Sequence, residues 1–100
     1  MDKRQLIIHM LRQLDEQSLS IQQVGAGYYS CIPFARRFNK LLAEARTLFG
    51  ASDGLMGTFE EIAEFDPKDP GDKMKIIQVI RVEINQLIAL LEVVEEDGGQ

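Results

Sequence analysis

One hundred residues make one domain with room for a single, modest core. Hydrophobic residues are 45% and charged residues 27%, and no apolar run reaches the roughly 20 residues a bilayer needs, so the composition argues against a membrane span. The net charge of -5 argues against a nucleic-acid partner, because phosphate binding needs positive surface.

That charge is uneven. Residues 1–50 carry seven Lys/Arg against four Asp/Glu, and residues 51–100 carry four against twelve. The two halves attract each other, within one fold or between copies. The lone Cys31 forms no internal disulfide, and the N-terminus lacks a signal-peptide cleavage pattern. The expectation is a cytoplasmic protein.

The first helix opens at Asp2, a good N-cap, and runs through residue 17 with Ile7, Met10, Leu11 and Leu14 on one face. His9, Arg12 and Glu16 fall opposite. Residues 18–24 read equally well as helix or as a short extended piece. Gly25 and Gly27 then break the pattern. A second helix opens at Ser30 or Ile32, with Pro33 in its first turn. Its apolar stripe is Phe34, Phe38, Leu41, Ala45 and Leu48, widened by Ala35, Leu42 and Phe49, and Gly50 suits the residue past its end. Thr58 and Glu61 make a capping box, which predicts a short third helix to about Phe65. The Asp66–Asp72 segment, with Pro67, Pro70 and Gly71, reads as a stiff turn, and Asp69 or Asp72 as the cap of the last helix.

The last helix is the clearest element. Ile77, Ile80, Ile84, Leu87, Leu91 and Val94 alternate steps of three and four. Ile76, Val79, Ile88 and Leu90 widen the seam, Val82 and Val93 lie beyond it, and Gln78, Arg81, Asn85, Glu92 and Glu96 form a narrow polar strip. A helix this apolar is normally surrounded by neighbours. The expected fold is all-α: a small antiparallel bundle of four helices, the third short, with the C-terminal helix as central spine and residues 95–100 as a frayed acidic tail.

Two surfaces stand out as candidate sites. Gly25, Gly27, Tyr28, Tyr29 and Ser30 run into a helix carrying Arg36, Arg37 and Lys40, which has part of the grammar of an anion-binding loop. The third glycine of a dinucleotide fingerprint is missing, and Pro33 removes a first-turn N–H. Glu83 falls inside the apolar arc of the last helix, where a charge is costly unless paired. It is expected at a rim or against a cation such as Arg12, Arg37 or Lys40. With Ile77, Ile80, Ile84, Leu87 and Leu91 it marks either a core or an oligomer seam. No catalytic set, metal set or cofactor motif is legible: His9 and Cys31 lack an orienting partner, and the carboxylates lack metal-ligand spacing. The expected role is non-enzymatic, a helical module that self-associates, with a dimer favoured, or binds a protein partner. The alternative is a small-anion binder using residues 25–30 and the Arg36/Arg37/Lys40 face.

Overall fold

The computed structural model describes residues 2–25, 29–49 and 54–98. Gly27, Tyr28 and Gly50 lie outside them. The described chain is all-helical apart from its connections, with three α-helices and a single 3-10 turn. Helix α1 (Lys3–Val24) is capped by Asp2, whose carboxylate accepts from the Gln5 N–H at 2.8 Å. The ambiguous stretch 18–24 is helical. The reason is a core position that the hydrophobic pattern hides. Ile7, Leu11, Leu14, Ser18 and Ile21 step by four and three and are all buried, and the Ser18 hydroxyl donates to the Leu14 carbonyl at 2.8 Å. A serine satisfied by its own helix can sit in a core seam without an orphan polar group. Ile8 is buried where Met10 was expected, and Met10 lies near the surface. Gly25, with φ 128, ends the helix in a conformation that side chains rarely adopt.

Helix α2 (Ile32–Phe49) runs back antiparallel to α1. Ala35, Phe38, Leu42 and Ala45 repeat the same rhythm, with Cys31 one step ahead of them. The expected third helix is absent. After the 3-10 turn Met56–Thr58, the chain runs to residue 69 as a strap without helix. It leaves the turn extended at Phe59, with φ -82 and ψ 135, and makes a tight turn where the Phe65 N–H donates to the Ala63 carbonyl at 3.0 Å. The Thr58 hydroxyl donates to the Leu55 carbonyl at 2.7 Å and caps no helix.

Two causes outweigh the capping box. The first is length. The chain must travel back along α2, and the eight residues 59–66 cover about 23 Å when extended but only about 12 Å as a helix. The second is a ladder of partners on α2. Arg46 donates to the Phe59 carbonyl. The Asn39 carboxamide grips Ile62 from both sides, donating to its carbonyl at 2.7 Å and accepting from its N–H at 2.8 Å. Arg36 meets Glu64 at 2.6 Å, and Asp66 accepts from the Cys31 N–H at 3.0 Å. The Phe59 carbonyl and both backbone groups of Ile62 are thus satisfied by α2 side chains instead of by a helix of their own. Asn39→Ala is expected to cost about 1–3 kcal/mol, because it orphans two half-buried backbone groups. Urea denaturation measures the loss, and faster proteolysis within residues 59–66 locates it.

Helix α3 (Pro70–Gly98) starts at Asp69, whose carboxylate accepts from the Asp72 N–H at 3.1 Å, with Pro70 in the first position. Lys73, Ile77, Ile80, Ile84, Leu87 and Leu91 continue the four-three rhythm into the shared core. The path is therefore up, down, up and down, as in a four-helix bundle, but the third pass is extended. In consequence α2 and α3 run parallel, with the strap laid over the groove between them.

The spine expectation is also corrected. Helix α3 packs chiefly on α1 and much less on α2. The molecule is flat, 47 × 24 × 15 Å, and among the described residues no helix covers one side of α3: Val79, Val82 and Val93 are 52%, 49% and 55% exposed.

Candidate functional site

Of the predicted anion loop, Gly27 and Tyr28 lie outside the described residues, and the described members have these places. Gly25 serves as the C-cap of α1. The Ser30 hydroxyl accepts from the Ile32 N–H at 3.2 Å, and the Tyr29 carbonyl accepts from Lys73 Nζ at 3.0 Å while its ring is exposed. The helix N-terminus already has its anion, because the Asp66 carboxylate sits on the Cys31 N–H. The three cations diverge. Arg36 turns to Glu64 on the strap, Arg37 lines a cleft against α1, and Lys40 is exposed with no partner among the described residues.

A cluster that sequence reading missed holds this end of the bundle together. Lys73 is buried, with Nζ 2.7 Å from Asp66 and 3.0 Å from the Tyr29 carbonyl. The Cys31 thiol donates to the Lys73 carbonyl at 3.8 Å. Burial, and then the Asp66 charge, push the Cys31 thiol up, so it stays protonated and is a poor nucleophile. The hydrogen bond from Lys73, followed by that from the Cys31 N–H, holds the Asp66 carboxyl below its ordinary 3.8. The available signal was positional: Lys73 lies four residues before Ile77, on the seam.

This pair carries a pH dependence. A carboxyl with a depressed folded-state pKa stabilises the fold above its unfolded value, and the contribution disappears as pH falls through the folded value. Asp66→Asn is therefore expected to melt below the wild type at pH 7, with the gap closing as pH falls below the ordinary 3.8 and through the lowered folded value, where wild-type Asp66 itself becomes neutral. Thermal melts by circular dichroism across that range check both the gap and its closure.

The seam residues Ile77, Ile80, Ile84, Leu87 and Leu91 are all 0–1% exposed inside the monomer, so they form core and not interface. Glu83 is half-buried beside the strap, in a notch with Glu60, Glu61 and Val79, and has no ion pair among the described residues. Its candidate partners are elsewhere: Arg12 meets Glu92 at 3.2 Å, and Arg37 lies on the α1–α2 seam.

A second, outward rhythm on α3 remains. Lys75, Val79, Val82, Gln86, Ala89 and Val93 are exposed at alternating steps of four and three. An apolar cleft flanks each end. One is about 200 Å³, bounded by Phe65, Ile76 and Val79, and the other is about 280 Å³, bounded by Leu55, Leu90 and Val93. Phe65 and Leu55 are themselves 58% and 66% exposed.

The α1–α2 groove holds a third cleft, lined by His9, Gln13 and Gln17 on one wall and Pro33, Phe34 and Arg37 on the other. Among the described residues no group of three or more His, Cys, Asp and Glu could hold a metal ion, and no helix is long and apolar enough to cross a membrane. The chain matches no protein-family model, no curated protein and no solved structure.

Proposed function

We propose that this protein is a non-enzymatic helical module that pairs with a second copy of itself through the outward face of α3, as an antiparallel twofold dimer. The observation that carries this reading is the near-palindrome of that face about Gln86. In an antiparallel pair, Val79 meets Val93 of the second copy and Val82 meets Ala89, with the two Gln86 side chains on the axis. The strap obeys the same symmetry, since Phe65 lies beside Val79 and Leu55 beside Val93. A twofold interface must be self-complementary in this way. Small side chains also let two helices approach closely.

Charge favours the antiparallel sense. Lys75 stands at the start of the stripe, and the sequence carries Glu95, Glu96 and Asp97 beyond its other end. Antiparallel pairing brings opposite charges and opposite helix dipoles together, whereas parallel pairing stacks the acidic ends. The free carboxylates Glu60, Glu61 and Glu83 beside the face favour a basic helix of another protein as the alternative occupant. Sedimentation equilibrium tests the proposal. A concentration-dependent dimer supports it, and a monomer up to about 1 mM rejects it in favour of the foreign helix.

A further inference from the structure

We infer that the cleft between α1 and α2 binds a small carboxylate carrying an apolar tail. The bundle has three seams between helices. The α1–α3 seam holds a cleft of about 290 Å³, but three carboxylates, Asp15, Glu16 and Glu92, line it, which disfavours an anion. Across the α1–α3 seam, Arg81 meets Asp15 and Gln22 at 3.0 Å each, Asn85 meets Asp15 at 3.1 Å, and Gln22 meets Gln78 at 2.9 Å. The strap lies over the α2–α3 seam and leaves clefts against α3 with no cation but Lys75 in their lining. The α1–α2 seam is closed at one end by Lys3–Glu44 at 2.8 Å and is open beyond it.

The opening is a cleft of about 350 Å³. That volume suits a small molecule and not a peptide helix. Its charge is one-sided. No carboxylate lines it. Arg37, on its rim, is the one arginine among the described residues with no partner: Arg4 meets Asp2, Arg12 meets Glu92, Arg36 meets Glu64, Arg46 meets the Phe59 carbonyl and Arg81 meets Asp15. An unpaired guanidinium is conspicuous in a chain of net charge -5. Lys40, one turn further along α2 and outside the cleft lining, is a second cation without a partner among the described residues.

The guanidinium fork matches a carboxylate in bidentate geometry, which a point charge does not. On the opposite wall His9, Gln13 and Gln17 recur every four residues, and each side chain can donate an N–H. The floor is apolar, formed by buried Leu14 and half-buried Phe34, with Met10 at the edge. Head and tail of the ligand are both specified: an anionic, planar head at Arg37 and an aliphatic or aromatic body over Leu14 and Phe34.

The experiment is an NMR titration of the full chain with octanoate, methyl octanoate and inorganic phosphate. Octanoate is expected to shift the amides of Gln13, Gln17 and Phe34 saturably. Arg37→Ala is expected to weaken it at least about tenfold, while Arg36→Ala and Val82→Asp leave it unchanged. Equal binding of methyl octanoate or of Arg37→Ala overturns the anionic head. Binding of phosphate without octanoate overturns the apolar tail. Shifts confined to α3, or no saturable shift, overturn the site itself.

Discussion

Replacing Phe38 with alanine is expected to destabilise the fold by about 3–5 kcal/mol and to lower Tm by about 15 °C or more. Phe38 is 0% exposed at the middle of the α2 seam, and its ring packs into the one cluster that joins all three helices. Its removal forfeits the transfer free energy of the ring and leaves a cavity that three helices and a strap cannot close together. A domain of this size has only about 5–15 kcal/mol in hand, so the variant sits near its unfolding threshold. Phe65→Ala is the control. The same residue type at 58% exposure is expected to change monomer stability by less than about 1 kcal/mol. Urea denaturation of the two variants separates the core role from the surface one. Near-equal losses would mean that Phe38 is not the central packing residue.

Replacing Val82 with aspartate is expected to weaken dimerisation by about a hundredfold or more while leaving monomer stability within about 0.5 kcal/mol of wild type. Val82 is 49% exposed, and valine and aspartate have similar helix propensity, so the monomer loses little. In the antiparallel pair the substitution appears twice, each time placing an unpaired carboxylate against Ala89 of the second copy. Desolvating one such charge costs several kcal/mol, which is more than tenfold in affinity per site. Sedimentation velocity across a concentration series is the measurement, read beside a urea melt at a concentration where wild type is monomeric. A dimer of unchanged affinity in Val82→Asp would move the interface off this face. The loss of dimer through global unfolding is excluded by the melt, so the two failures are told apart.

The three long helices were legible in the sequence because each is written in a repeating apolar rhythm. Ile77, Ile80, Ile84, Leu87 and Leu91 announce α3, and their burial follows the spacing. The Asp2 cap was readable too, and the sequence narrows the last helix's cap to Asp69 or Asp72, of which Asp69 is the one that caps, since capping is a local bond spanning about one turn. Ser18 hid the last turns of α1, because a polar residue on the core seam is invisible to a hydrophobic pattern although it costs nothing once its hydroxyl bonds Leu14. Arg37 was singled out, but not its place beside His9, 28 positions away, because that neighbourhood depends on how α1 and α2 are registered.

By itself, the sequence determined the all-helical class of this protein and most of the apolar residues on the inner faces of its long helices, because local spacing carries that information. It misplaced Met10 and Leu48, which are exposed, and missed buried Ile8, Ser18 and Lys73. Only the tertiary structure decided what the segment after Thr58 becomes. Its capping box is a genuine local preference worth about a kilocalorie. It loses to Asn39, Arg46, Arg36 and Cys31, which hold residues 59–66 extended along α2 through bonds between residues 13 to 35 positions apart. The same long-range geometry decided which side of α3 is covered. Ile77 to Leu91 went inward against α1, and the second rhythm, from Val79 to Val93, was left facing out, because an extended strap covers one groove where a fourth helix would have covered a face.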